Sequence, residues 1–265
     1  MVEKDGVQTA LVTGGSSGIG FELARICAAH SIRPTIVARD GMALLSAAQT
    51  IEGETGTQVR YIVHDLAQSG SGFALVEQLE RRGIPIPDYL FNNAGFGTFG
   101  RVDLLDPQRE VQQAQLKVGT PLELMTSILP VMVTRGYGRV LNVSSTSAFQ
   151  PGPKMATYFA SNAFLLHWSV AANRELRGTG VTVTALCPGS TKTNFRSVVA
   201  GERREGSGMD PREVARIGFD AMMAGRAYVV PGRVNSFMAH MARFLPLEWS
   251  AVLAEIIQSG KHGKH

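Results

Sequence analysis

Cysteine is almost missing from this chain: 265 residues include two, Cys27 and Cys187, in different predicted elements and without Cys-x-x-Cys or Cys/His spacing. That excludes a disulfide framework and a structural zinc site, leads to no metal assignment, and points to a reducing, cytoplasmic compartment. Charge is scarce too, at 18% of residues, and nearly balanced, with 26 Lys and Arg against 22 Asp and Glu. The basic residues are scattered, with Arg203 and Arg204 adjacent in a polar stretch, so no cationic stripe suits a phosphate backbone and nucleic acid is not an expected partner. Near the start, Glu3, Lys4 and Asp5 stand where a secretory leader would need an apolar core. No transmembrane segment is expected either. The longest helical run without Asp, Glu, Lys or Arg, Met155 to Asn173, is interrupted by Thr157, Ser161, Asn162, His167, Ser169 and Asn173, and reads as a helix packed inside protein.

What the chain does have is alternation. Short β-branched or apolar runs at Thr9 to Thr13, Thr35 to Ala38, Val59 to His64, Tyr89 to Asn92, Arg139 to Ser144, Val181 to Leu186 and Ala227 to Val230 read as seven strands. Helical periodicity fills the intervals: Ile19 to His30, Met42 to Ile51, Phe73 to Arg82, Pro107 to Thr134, Met155 to Arg177 and Asp210 to Met223, with Ser71 and Asp210 as candidate N-caps. Strands that alternate with helices make a parallel sheet covered on both faces, a doubly wound α/β sandwich of three αβα layers. No repeat or linker divides the chain, so residues 1–265 are expected to form one domain. Its C-terminal helical extension, about 234–257, comprises two apolar segments separated by Pro246. This extension reads as a cover or a subunit contact rather than a membrane attachment, because few basic residues flank it.

A glycine-rich turn, Thr13-Gly14-Gly15-Ser16-Ser17-Gly18-Ile19-Gly20, joins the first strand to the first helix. Such a turn lets backbone approach a pyrophosphate, and the helix N-terminus that follows offers unpaired amides and a positive dipole end. Downstream come Asn92-Asn93-Ala94-Gly95 after the fourth strand and Ser145 with Tyr158 thirteen residues on. With this order and spacing the chain resembles the short-chain dehydrogenase/reductase family over nearly its whole length.

The resemblance implies a Rossmann-type fold and assigns Gly14, Ser16, Ser17, Gly18, Ile19 and Gly20 to the cofactor pyrophosphate. It assigns Asp65 to the adenine, Asn92, Ala94 and Gly95 to the cofactor cleft, and Pro188, Gly189, Thr191 and Thr193 to the nicotinamide side. At the end of the second strand stand Ala38 and Arg39, where an NAD-preferring member would carry an acid for the ribose hydroxyls; a neutral residue followed by a guanidinium suits a 2′-phosphate, so NADP is expected over NAD.

The resemblance also makes Tyr158 the general acid/base and Ser145 its hydrogen-bonding partner at the substrate oxygen. The family's lysine, four residues after the tyrosine, is here Asn162, and Lys117 falls where the family carries its asparagine, with Gln115 a second candidate for that place. The resemblance implies that the two residues have been exchanged, and Lys117 is expected to reach across and lower the pKa of Tyr158. Phe96, Phe99, Phe149, Met155 and Phe195 are expected to wall a pocket for a small carbonyl or alcohol carrying apolar groups, beneath a lid at Asn194 to Gly208. A homodimer or homotetramer is expected through the Met155–Asn173 helix, with Phe159, Ala163 and Leu166 facing outward. A catalytically degraded cofactor-binding protein is the competing reading.

Overall fold

The computed structural model describes residues 6–193, 208–242 and 244–262. Seven strands, β1 Thr9–Thr13, β2 Arg33–Ala38, β3 Arg60–Val63, β4 Tyr89–Asn92, β5 Gly138–Val143, β6 Val181–Leu186 and β7 Tyr228–Val229, form one parallel sheet in the order β3-β2-β1-β4-β5-β6-β7. The chain winds outward from β1 to β3, then crosses back to start β4 on the other side of β1, in register from Ala10 opposite Tyr89 to Val12 opposite Phe91. This reversal leaves a crevice at the carboxyl ends of β1 and β4, the usual ligand position of doubly wound sheets. All five β1 residues are buried, as befits a central strand covered on both faces.

Helices α1 Gly18–Ala29, α2 Gly41–Thr55 and α7 Pro211–Met223 cover one face, with Leu23, Cys27, Leu44, Ile51 and Met222 in the shared core. Helices α3 Ser71–Arg81, α5 Thr120–Arg135 and α6 Ala156–Glu175 cover the other through Leu75, Leu79, Leu124, Ile128 and Ala172. Asp210 caps α7 as expected, its carboxylate accepting from Arg212 N at 2.8 Å. Ser71 is not the cap of α3. It is the first helical residue, and its hydroxyl donates to Leu66 O. The free amides at that end bond instead to Glu123 of α5, whose carboxylate takes Gly70 N at 3.2 Å and Gly72 N at 2.7 Å. Glu123→Ala is expected to cost about 1–2 kcal/mol, the loss typical of a capping side chain, measurable as a lower urea midpoint.

The expected long helix from Pro107 to Thr134 is three pieces: α4 Pro107–Ala114, a π turn Gln115–Gly119, and α5. Pro121 has no N–H to give the carbonyl of Lys117, four residues earlier, so the α-helical ladder must widen there. Run together, residues 107–135 are long and apolar enough to cross a membrane by length and composition alone, but Leu124, Met125, Ile128 and Met132 of this run are buried against the sheet. Two of the outward positions expected on α6 are also corrected. Phe159 and Leu166 are 8% and 6% exposed, with Phe159 packed against Gly152 and Leu166 in a cluster with Ala185 and Cys187. The outer face of α6 carries Ala160, His167 and Val170 instead, because the sheet takes the larger apolar side chains.

After β7, α8 Arg233–Ala242 and α9 Leu247–His262 lie beside the carboxyl ends of the strands. The His240 ring pairs with the Tyr228 hydroxyl at 2.9 Å and faces Phe149, tying α8 to the sheet.

Candidate active site

One cleft of about 810 Å³ runs along the carboxyl ends of the strands. At one end the β1–α1 turn forms its floor. Gly14 adopts φ +67°, and a Cβ there would fall 2.9 Å from Asn93 Nδ2 and 3.0 Å from Ala94 Cα, so only glycine fits against β4. Ser17 occupies the N-cap position of α1 but makes no side-chain cap bond, which leaves the first-turn amides directed at the cleft. Asn93 secures the turn: its side chain donates to Thr13 O at 3.0 Å and Gly14 O at 3.2 Å, while the Thr13 hydroxyl accepts from Asn93 N and Ala94 N. A glycine cradle backed by unpaired helix amides is the shape and polarity a pyrophosphate requires.

Gly14, Ser16, Ser17, Gly18, Ile19, Arg39, Asp65, Ala94, Gly95, Pro188, Gly189, Thr191 and Thr193, all expected in this role, line the cleft together. Gly20 and Asn92 do not. Gly20 packs behind the turn, where a Cβ would collide with Gly14 O and Asn93 Nδ2. Asn92 points into the core, donating to Asn142 Oδ1 at 2.9 Å in a buried chain that continues to Ser169. The wall residue at this place is Asn93, legible in the same motif. The Arg39 side chain is exposed at the rim, and its charge, with the stronger help of a Gln68 hydrogen bond, holds the Asp65 carboxyl below its ordinary range.

Ser145, Tyr158 and Lys117 line the same cleft. Ser145 follows β5 and begins a short 3₁₀ turn, its hydroxyl accepting from Ser147 N at 3.1 Å. Tyr158 stands on the first turn of α6, half-buried. Burial pushes its phenol above the ordinary range, and the neighbouring polar side chains of Ser145, Asn162 and Ser147 offset part of that rise. Lys117 projects inward from the π turn and is 4% exposed, so it is not a solvated charge on the helix face. Its stem passes over Gly95, where a Cβ would fall 2.6 Å from Lys117 Cε. Its ammonium donates to Val143 O at 2.8 Å, beneath the Ser144-Ser145 corner. Burial lowers the Lys117 pKa to about 8. Asn162 is fully buried below the cleft, donating to Tyr158 O at 2.8 Å, and its Oδ1 has no partner among the described protein groups.

Beyond Tyr158, Phe96 and Met155 form the wall as expected. Phe149 does not; its ring packs on Tyr228 and His240 under α8, and Phe99 also lies off the cleft. Phe195 and the lid segment, apart from Gly208, lie outside the described residues. The far wall was missed from sequence: Asn235, Met238, Ala239 and Met241 of α8, then Leu245, Leu253 and Ala254. The helical spacing of Val234, Phe237, Met238 and Met241 marked an apolar stripe but not that its edge meets a cleft.

Fold and glycine cradle are those of a doubly wound dinucleotide-binding class, with Ser145 and Tyr158 in the same cleft. The short chain dehydrogenase family profile matches residues 8–203, and the chain belongs to that family. A ketoacyl reductase of Nostoc sp., HetN, is 33% identical over 185 residues, 69% of this chain but 63% of its own length, so the match spans less than two thirds of that relative. Among solved structures, a bulky-bulky ketone specific alcohol dehydrogenase from Comamonas testosteroni is 27% identical with a TM-score of 0.76, covering 89% of this chain and 90% of that one. A putative NAD(P) dependent gluconate 5-dehydrogenase from Beutenbergia cavernae, with bound NADP at low occupancy, is 25% identical with a TM-score of 0.72, covering 84% and 94%.

Proposed function

We propose that this protein reduces a carbonyl on an apolar substrate with NADPH, with Tyr158 as proton donor. The observation that carries the reading is that one cleft is lined together by the phosphate cradle, by Ser145, Tyr158 and Lys117, and by apolar side chains. Gly14 to Ile19 would hold the pyrophosphate, Asp65 the adenine end, and Pro188 to Thr193 the nicotinamide side. A nicotinamide held there would supply the hydride to the carbonyl carbon. Tyr158 then delivers a proton to the substrate oxygen, and the Ser145 hydroxyl donates a hydrogen bond that orients that oxygen. Among the described residues Lys117 is the one ammonium lining the cleft, so it is the group available to favour the phenolate left when Tyr158 gives up its proton. Ketone and ketoacyl substrates among the relatives support a carbonyl with bulky apolar groups. We read residues 1–265 as one such catalytic unit with a C-terminal helical extension. The buried, unpaired Cys27 and Cys187 suit a reducing cytoplasm. Self-association into a homodimer or homotetramer through α5 and α6 is checked by light scattering.

NADPH depletion over a panel of aldehydes and ketones, run beside a cofactor-binding titration, tests the activity. Turnover with at least one bulky ketone is expected; tight binding without turnover would favour a silent cofactor-binding protein, a reading no contact in the cleft favours. For cofactor choice, Arg39→Ala is expected to weaken NADPH by about 1.5–3 kcal/mol, the worth of a hydrogen bond to a charged group, with little change for NADH. Equal losses for both cofactors in isothermal titration would remove Arg39 as the selector.

A further inference from the structure

Gln115 opens the π turn that carries Lys117 into the cleft, yet it does not line the cleft itself. Its side chain runs back over Gly119, where a Cβ would collide with the Gln115 amide, so glycine at that place leaves the amide room. Both amide hydrogens are engaged: Nε2 donates to the Thr120 hydroxyl at 3.2 Å and to Glu123 Oε1 at 3.1 Å. The backbone repeats the tie, since Thr120 N donates to Gln115 O, five residues back. From Thr120 and Glu123 the bonds continue to another stretch of cleft wall. The buried Thr120 hydroxyl donates to Leu66 O at 2.7 Å, and the Glu123 carboxylate takes the amides of Gly70 and Gly72. Leu66 and Ala67, which follow Asp65 in the chain, line the cleft with it. The junction is close-packed, for a Cβ on Gly72 would fall 2.6 Å from Glu123 Cβ and 2.9 Å from Thr120 O.

We propose that Gln115 is a positioning residue: it couples the loop at 65–72 to the π turn, so that filling the adenine end of the cleft sets where Lys117 stands. The proposal rests on the reading of Asp65 as the adenine contact and of Lys117 as the cation that serves Tyr158. Two parts of the cleft wall, 65–67 and 116–117, are joined through Gln115, Thr120 and Glu123, none of which lines the cleft. A hydrogen-bonded connection anchored at both ends in close-packed structure transmits a displacement instead of absorbing it. Glu123 alone would fasten α3 to α5 through the two glycine amides. What Gln115 adds is the link to the turn that bears Lys117.

Hydrogen–deuterium exchange of the full chain is followed with and without adenosine 2′,5′-bisphosphate, which can fill the adenine end but holds no nicotinamide, and with ADP as the probe lacking the 2′-phosphate. Binding of each is measured by isothermal titration. In the parent, amides at 66–72 and at 116–120 are both expected to slow by about fivefold or more, the lower end of coupling between sites. That slowing is read beyond any change in α7, which lies on the opposite face of the sheet and reports general stabilisation. Gln115→Met keeps the length of the side chain and removes both donors. In this variant the slowing is expected to persist at 66–72 and to be lost at 116–120. Thr120→Val, which cuts the bond to Leu66 O, is expected to break the same connection. Turnover supplies a second readout. Gln115→Met should lower kcat several-fold with little change in the KM for the ketone, and should shift the alkaline limb that Lys117 sets. A merely structural role would lower the urea midpoint and leave that limb in place. The proposal is overturned if the parent binds a probe without a response at 116–120, if Gln115→Met still transmits the response, or if its alkaline limb coincides with the parent's. If neither probe binds the parent, the adenine assignment itself fails and takes this proposal with it.

Discussion

Tyr158→Phe is expected to lower kcat for ketone reduction by about 10²–10⁴-fold, the range for removing a positioned acid, and to leave the affinity for NADPH unchanged. The phenyl ring keeps the packing against Phe159, an edge-on pair 6.2 Å apart, so the loss isolates the hydroxyl. Ser145 remains in place and can still orient the substrate oxygen, but it does not replace the lost acid, because an aliphatic hydroxyl gives up its proton far less readily than a phenol. The sign of the pH effect follows from burial. A phenol held above its ordinary range stays protonated at neutral pH, ready to donate, so reduction should be fastest there and alcohol oxidation should rise as pH increases. Single-turnover kinetics separates this step from product release. A Tyr158→Phe enzyme within a few-fold of the parent would remove Tyr158 from the chemistry.

The sheet could be read from the chain because each central strand is largely buried on both faces and therefore appears as a short run of β-branched and apolar residues with little charge. Thr9–Thr13 and Val181–Leu186 are bounded in the structure as their residues suggest. The cofactor end of the cleft was legible for a related reason. A turn that must admit a phosphate tolerates almost no side chain, and glycine at Gly14 records that constraint in the sequence itself. Positions that depend on direction were harder. Asn92 and Asn93 are neighbours with identical chemistry, and strand alternation sends one into the core and the other toward the turn. Phe149 and Met155 are both apolar and both near the site, and only packing on Tyr228 and His240 decides that the first is structural. The π turn had a signal that helical periodicity alone passes over. Pro121 lies four residues after Lys117, and its missing N–H is what turns Lys117 inward.

That inward turn sets the largest remaining expectation, for the exchanged pair. The structure places Lys117 inside the site yet bonds its ammonium to Val143 O, and the groups that ease the Tyr158 pKa downward here are Ser145, Asn162 and Ser147. The role we propose for Lys117 at Tyr158 would therefore be exerted by its charge within the same cleft, or by its leaving Val143 when a hydroxyl partner enters. Lys117→Ala is expected to cut kcat by about 10²-fold or more, as for loss of one preorganised electrostatic group. The alkaline limb of the reduction profile supplies the diagnostic. The Lys117 pKa of about 8 means the ammonium is present below that pH and lost above it, so the parent rate should fall there. In Lys117→Ala that limb should disappear and the residual rate should hold until the phenol itself ionises, further up. Asn162→Lys alone would bring a second ammonium into a fully buried space beside the first, disfavouring both charges. Combining Lys117→Asn with Asn162→Lys restores one cation and one amide to the cleft, in the arrangement usual for the family, and should recover activity that each single change loses. A coupling of about 0.5–3 kcal/mol between the two positions is the size expected for residues sharing one site, against a few tenths for independent ones. Strict additivity, or a Lys117→Ala enzyme with the parent's rate and alkaline limb, would reduce Lys117 to a structural tether on the Val143 carbonyl.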